Sequence, residues 1–505
     1  MRNVLEWLEE RSATMGDTPA VCDIHGQLTF AQLQERASQV GTWVASQVVP
    51  RTPVALYLEK STQCLAAMLG AVYARCFYSV LDVRQPADRL ASIMATLQPG
   101  LVLTDDANFD RAQEMLGCHG VPIVRISDIG CRVDQEVLSA LRASALDIDP
   151  LYVNFTSGST GVPKGVAVAH RSVIDFIGHF TSIFGITSQD RIGNQAPFDF
   201  DVSVKDIYSC LATGATMHLI PREYFSQPTL LMDFLCDRQI TTCTWAVSAM
   251  CFVSIMGGFD YRVPTTINKV IFSGEVMPPK QLAKWRRALP DATYVNVYGP
   301  TEITCNCTYH VVERDYAKDE VIPAGKAFPN EQVFLLDGDT LVTNPGEHGE
   351  VCVAGTCLAL GYYNDPVRTA EAFVPNPLSP QVMELMYRTG DLGMWNEEGQ
   401  LVYVGRKDHQ IKHMGQRIEL GEIEAVAAGF DGVEQACCIY DHKKKRISMF
   451  FAGVLSEDEL RDALAGKLPH YMVPGQMVRL DALPLTKNGK VDRTALAAIK
   501  PKGAR

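Results

Sequence analysis

Between residues 151 and 180 the hydrophobic pattern changes its period twice. The apolar run Leu151-Tyr152-Val153 enters a polar, glycine-rich stretch from Asn154 to Lys164, and Val166-Ala167-Val168-Ala169 beyond it predicts a strand. His170-Arg171-Ser172 then opens a helix, since Val173, Phe176, Ile177 and Phe180 fall on one face at helical spacing. Toward the termini, Met1 to Trp7 begins a charged amphipathic helix. Ser448-Met449-Phe450-Phe451-Ala452 reads as a strand after the basic run Lys443-Lys444-Lys445-Arg446. The run from Cys64 to Ala74 is strongly apolar yet falls short of a membrane-spanning helix.

The glycine-rich stretch carries the first candidate chemistry. Thr156, Ser157, Ser159 and Thr160 bring hydroxyls, Gly158, Gly161 and Gly165 let backbone N–H groups approach an anion, and Lys164 adds a charge for phosphate oxygens. Such a loop suits a nucleotide triphosphate. It is not the commoner phosphate loop, in which Gly-Lys is followed at once by Ser or Thr and a helix begins; here Pro163 precedes Lys164, Gly165 follows it and a strand comes next. The same composition also suits a flexible surface loop, but its apolar flanks argue against that.

Length and composition narrow the setting. A chain of 505 residues exceeds one ordinary core, so two or more domains are expected. With 47% hydrophobic and 21% charged residues the composition is that of a soluble enzyme. Lys and Arg number 46 against 58 Asp and Glu, a net charge of -12 that argues against a nucleic-acid partner. No basic segment leads into a long apolar core at the N-terminus, which points to a cytoplasmic protein without membrane insertion. The 15 cysteines, an odd number with no Cys-x-x-Cys pair, predict reduced buried thiols, and Cys305 with Cys307 makes a poor metal site.

Four further motifs give the loop its company. They are Asn296-Val297-Tyr298-Gly299-Pro300-Thr301-Glu302, Tyr387-Arg388-Thr389-Gly390-Asp391-Leu392, Gly405-Arg406-Lys407-Asp408, and Leu485 to Arg493 around Lys490. With these in order, the chain resembles the adenylate-forming superfamily of acyl-CoA synthetases, nonribosomal peptide synthetase adenylation domains and luciferases. The resemblance runs from Leu28-Thr29-Phe30 to Asn488-Gly489-Lys490 and is strongest to stand-alone amino-acid adenylation domains and D-alanine-carrier-protein ligases. It implies an α/β fold: a large N-terminal domain, residues 1–407, of two αβ-layered sheets plus a distorted β-barrel, and a small mobile α+β C-terminal domain, residues 408–505.

The resemblance also assigns roles. ATP and AMP would be held by Thr156, Ser157, Gly158, Ser159, Thr160, Gly161, Gly274, Glu275, Asn296, Tyr298, Gly299, Thr301, Asp391 and Arg406. Tyr298 would stack on the base, and Asp391, acceptor-only when ionised, would take both ribose hydroxyls. Lys164, Thr301, Glu302 and Lys490 would be catalytic, with Glu302 on Mg2+ because that ion prefers hard oxygen. Lys490 would reach the substrate carboxylate and the α-phosphate, a cation placed where negative charge gathers. Asp408 would be the hinge, and Gly415 would lie beside the attacking thiol.

Phe200-Asp201-Val202-Ser203 resembles the motif whose Asp binds an α-ammonium, a pairing that acids without an amine cannot use. Asp199 shares the face of Asp201 if the segment is extended. The remaining pocket residues carried over are Val202, Lys205, Thr244, Ile271, Ser273, Val297, Cys305 and Asn306. Lys205 is unusual there: either it pairs with an acidic or hydrogen-bonding substrate side chain, or its stem fills the pocket while its ammonium finds Asp206, Asp201 or water. The family's usual Gly and Pro are missing from Tyr73 to Asp82, and Met414 replaces a residue often basic. The implied activity is ATP-dependent formation of an aminoacyl-AMP from a small or polar amino acid, with Ser273-Gly274-Glu275 followed by Val276-Met277-Pro278 hinting at a small one, and transfer to a separate phosphopantetheinylated carrier protein, for which the basic run at 443–446 is a candidate dock. The alternatives are an acyl- or aryl-CoA ligase and a non-catalytic nucleotide-binding scaffold.

Overall fold

The computed structural model describes residues 1–158, 162–408, 410–442, 444–485 and 491–499. The chain forms two compact units: Met1–Val83, Leu97–Asn154 and Gly165–Lys407 make the first, and the second joins Arg84–Thr96 and Phe155–Lys164 to the chain from Asp408 onward. One boundary between the units falls at Lys407/Asp408, and two earlier stretches also belong to the second unit.

The first unit is layered α/β. A nine-stranded sheet has six parallel strands at its centre, Pro19–Cys22, Arg191–Asn194, Thr216–Leu219, Thr242–Ala246, Lys269–Ser273 and Thr293–Tyr298, with antiparallel pairing toward both edges. A seven-stranded sheet is built around the parallel strands Pro53–Tyr57, Phe77–Val80 and Leu101–Thr104, each buried along its whole length as a sheet covered on both faces requires. The helix His170–Phe184 buries the predicted stripe Val173, Phe176, Ile177 and Phe180, and the strand Lys164–Ala169 precedes it. The apolar run near Cys64 is the buried helix Thr62–Tyr73. Among the described residues no helix is long and apolar enough to cross a membrane.

Where a distorted barrel is expected, a six-stranded antiparallel sheet contains Glu331–Asp337, His348–Gly355, Leu385–Trp395 and Leu401–Arg406. The register of Leu385–Trp395 against Leu401–Arg406 shifts between Leu392 and Gly393, a bulge beside Asp391. The missing glycine near residue 75 is explained by Arg75 itself. It takes the left-handed conformation at φ 55° while its guanidinium donates to Asp149 at 2.9 Å. All 15 cysteines are free thiols.

The second unit, taken alone, is α+β. Its three-stranded sheet, Val433–Asp441, Arg446–Gly453 and Gln476–Leu480, shares a core of Ile418, Ile423, Phe451, Leu460 and Met472 with the helices Leu420–Ala428 and Glu457–Ala465. The predicted strand Ser448–Ala452 lies inside Arg446–Gly453.

Candidate active site

Sheet register brings distant residues onto one face. Thr244 pairs with Ile271, and Ile271 with Val295, across three parallel strands. Successive side chains alternate faces, so Thr244, Ile271, Ser273 and Val297 share a side. On it, Ile271, Val295 and Val297 join the core formed with Val204, Ile207 and Tyr208 of the helix Val202–Thr213. The alternate residues Cys243, Trp245, Val270 and Phe272 belong to a separate core.

Lys205, on that helix, is 0% exposed. Its ammonium donates to Ser273 Oγ at 3.2 Å and to Asn306 Oδ1 at 3.1 Å, and the Cys305 thiol donates to the same Oδ1 at 3.4 Å. The hydrogen bonds of Lys205 therefore go to neither Asp206 nor Asp201. Asp206 turns elsewhere, accepting from the Thr244 hydroxyl and from Asn194 Nδ2 at 2.8 Å. Burial pushes its carboxyl up to about 6, against the pull of those hydrogen bonds and of the Lys205 and Lys60 charges. Lys60 donates to the carbonyls of Asn194 and Gln195, and desolvation brings it down to about 7.

Asp201 corrects one expectation. Its backbone is helical, φ -61° and ψ -25°, at the start of Val202–Thr213, and Phe200 N–H donates back to the Pro197 carbonyl. The segment is a turn leading into a helix, so Asp199 and Asp201 do not share a strand face.

Cys305 and Asn306 owe their positions to strained backbone, since Thr304 and Cys305 hold φ 54° and 81°. Gly299 makes room for them. A Cβ there would lie 2.6 Å from Asn306 Cα and 2.7 Å from the Cys305 carbonyl oxygen.

Within the first unit, several residues of the candidate nucleotide motifs lie at or just past the carboxyl ends of parallel strands, where an open α/β sheet offers a crevice. Gly274, at φ 94°, and Glu275 follow Lys269–Ser273, while Asn296 and Tyr298 close Thr293–Tyr298. Asn296 Nδ2 donates to the Pro323 carbonyl at 2.8 Å. The Tyr298 hydroxyl donates to Asp391 Oδ2 at 2.5 Å, and Arg406 donates to Asp391 Oδ1 at 2.6 Å. Burial, with the Asp391 charge behind it, pushes the Tyr298 phenol well up. Thr301 and Glu302 are buried in a short 3-10 turn, and the Tyr362 hydroxyl donates to Glu302 Oε1 at 2.7 Å.

The glycine-rich stretch from Phe155 to Lys164 belongs to the second unit. Ser157 Oγ donates to the Arg417 carbonyl at 2.6 Å and accepts from Glu419 N–H at 3.2 Å. Thr156 Oγ1 is buried with no hydrogen-bond partner among the described residues, Gly158 is buried, and Lys164 opens the strand Lys164–Ala169. Asp408 Oδ1 accepts from Gln410 N–H at 3.1 Å. Met414 and Gly415, at φ 54° and 77°, form the two-residue turn of the hairpin Gln410–His413/Gln416–Glu419, a type I′ geometry. Ser159, Thr160, Gly161, Lys443 and Lys490 lie outside the described residues.

Sequence reasoning named Asp206 as a partner for Lys205 but missed two residues, Asn194 and Tyr362. Neither had a signal, because each reaches its carboxylate from the end of a separate strand.

The comparisons with known proteins agree with this layout. The model of the AMP-binding enzyme family matches residues 8–363, and that of the AMP-binding enzyme C-terminal domain matches 422–490. Tyrocidine synthase 3 of Brevibacillus parabrevis is 34% identical over 508 residues, covering 99% of this chain and 8% of that protein. The chain spans less than half the length of the curated relatives tyrocidine synthases 3, 1 and 2. Among solved structures, holo-PA1221, an NRPS protein containing adenylation and PCP domains bound to a vinylsulfonamide inhibitor, superposes with TM-score 0.84 at 26% identity, covering 98% of this chain and 84% of that one. The o-succinylbenzoate CoA synthetase (MenE) of Bacillus subtilis shares the fold, with TM-score 0.82 at 20% identity over 98% of each chain.

Proposed function

The chain belongs to the AMP-binding enzyme family, and on that footing we propose that it uses ATP to activate an amino acid and passes it to a carrier-protein thiol. In the first half-reaction the substrate carboxylate attacks the α-phosphorus of ATP, pyrophosphate leaves, and an aminoacyl-AMP forms. Asp201 holds the ammonium, Asp391 takes the ribose hydroxyls with its orientation set by Tyr298 and Arg406, and Lys164 and Lys490 meet the negative charge that gathers. Glu302 suits magnesium, being a buried carboxylate. Magnesium usually takes one or two carboxylates and completes its shell with phosphate oxygens and water. When bound, the ion would neutralise charge on the phosphates. In the second half-reaction a phosphopantetheine thiol attacks the carbonyl carbon and AMP leaves. Asp408 serves as the hinge and Gly415 lines the approach. The adenylation and PCP domains named for PA1221 support this choice of partner.

The observation that carries the amino-acid reading is the buried polar lining. Lys205, Ser273, Asn306, Thr244 and Asp206 are all at most 3% exposed on one side of the sheet, whereas a pocket for an apolar acyl chain is lined by apolar side chains. Substrate-dependent ATP–pyrophosphate exchange tests it with a panel of L-, D- and β-amino acids beside fatty and aryl acids. Exchange with amino acids is the expected result; exchange confined to acids lacking an amine overturns the reading.

A further inference from the structure

We infer that the amino acid this site activates carries a side-chain carboxylate, held by Lys205, Ser273 and Asn306. The inference rests on the amino-acid reading above and is separable from it.

The argument is one of donors and acceptors. The Lys205 ammonium is fully buried, and both its hydrogen bonds end on uncharged oxygens. An ammonium has three N–H groups and no acceptor, so those two bonds leave it a third donor. Asn306 must turn its Oδ1 toward Lys205, because an amide nitrogen cannot accept from an ammonium; that oxygen also takes the Cys305 thiol. The amide nitrogen of Asn306, with two donors, therefore faces away from Lys205. Ser273 accepts from Lys205 through Oγ, which leaves its own O–H to donate. The cluster is rich in donors at every member. An ionised carboxylate offers two oxygens and no donor; a side-chain amide or hydroxyl can accept too, but it brings donors of its own and no charge to meet the ammonium.

Charge points the same way. Asp206 and Cys305 both feel the Lys205 charge, and Asp206 also feels that of Lys60, while Asp201 acts on Cys305. Burial pushes the Cys305 thiol up to about 12, so it stays neutral. Asp201 is committed to the substrate ammonium, and the oxygens of Asp206 are engaged by Thr244 and Asn194. Asp206 therefore attracts Lys205 only across space, while both hydrogen bonds of the ammonium end on neutral oxygens; a carboxylate brought by the substrate would give it a charged partner in direct contact. A desolvated ammonium is costly without such a partner.

The test is pyrophosphate exchange with aspartate, glutamate, asparagine, glutamine, alanine and glycine, for the wild type, Lys205→Met and Asn306→Asp. One acidic amino acid should exceed its own amide by roughly tenfold or more in wild-type kcat/KM. Lys205→Met should lower that value by roughly ten- to 150-fold, the range for hydrogen bonds to charged groups, and shift the ranking toward the amide. Asn306→Asp supplies Lys205 with an internal carboxylate and should erase the acid preference. It also decides the matter if a thermal melt shows that Lys205→Met does not fold. A wild type that prefers the amide, alanine or glycine overturns the inference and leaves amino-acid activation standing. An unchanged ranking in both variants overturns the inference as well. A wild type that exchanges with no amino acid but with acids lacking an amine overturns both.

Discussion

Tyr362→Phe isolates one oxygen. The Tyr362 hydroxyl donates to Glu302 Oε1 at 2.7 Å and lies 3.5 Å from the Tyr387 hydroxyl, while its ring packs edge-on against Phe373 at 5.8 Å. Phenylalanine keeps the ring and deletes the donor, so the packing term nearly cancels. What remains is the loss of a hydrogen bond to a carboxylate with 0% exposure, worth about 1.5–3 kcal/mol when the acceptor is charged. If Glu302 is the magnesium ligand, the same bond fixes which of its oxygens is turned to the ion. Its loss should raise the Mg2+ concentration for half-maximal pyrophosphate exchange by roughly tenfold or more, with a smaller fall in the rate at saturating Mg2+. The assay is exchange at fixed ATP and amino acid across a magnesium titration, with urea unfolding of the same variant beside it. A variant that loses stability but keeps the wild-type Mg2+ dependence would refute the positioning role and leave Tyr362 as a buried structural phenol.

Three other outcomes are expected. Asp201→Asn keeps shape but deletes charge, so amino-acid binding should weaken by about 1.5–3 kcal/mol in exchange kinetics while ATP binding holds; if Asp199→Asn has that effect instead, the ammonium is bound by the carboxylate two residues earlier. Gly299→Ala forces a methyl against the backbone of Asn306 and Cys305, so unfolding experiments should show a loss of about 1–3 kcal/mol, with exchange activity falling further. His170 is buried and accepts from Val4 N–H through Nδ1; desolvation, then the nearby Arg142 charge, brings it from 6.5 to about 3. Its neutral form is favoured by folding, so its contribution is fully present above pH 6.5 and drains away as pH falls toward 3. The slope is up to about 1.4 kcal/mol per pH unit. His170→Gln should flatten that part of the stability profile in urea titrations, and an unchanged slope would count against it.

Much of this protein was written locally. The strand Lys164–Ala169, the helix His170–Phe184 and the strand within Arg446–Gly453 follow from hydrophobic period, because burial of one face acts over a few residues at a time. The candidate nucleotide loop could be singled out for a similar reason, since glycines and hydroxyls set close together suit an anion-facing turn, whereas the later motifs were assigned through the family resemblance. The sequence also offered Lys205 as the odd residue of the pocket, without deciding where its ammonium goes. That took tertiary structure. Ser273 is on a strand 68 residues away and Asn306 on a strained loop 101 residues away, and only parallel register and the backbone room at Gly299 bring them to the lysine. The turn at Asp201, the left-handed Arg75, and the bond from Tyr362 to Glu302 across 60 residues are of the same kind. Side-chain partners separated by long stretches of chain are chosen by how sheets and helices stack, and that choice belongs to the whole fold.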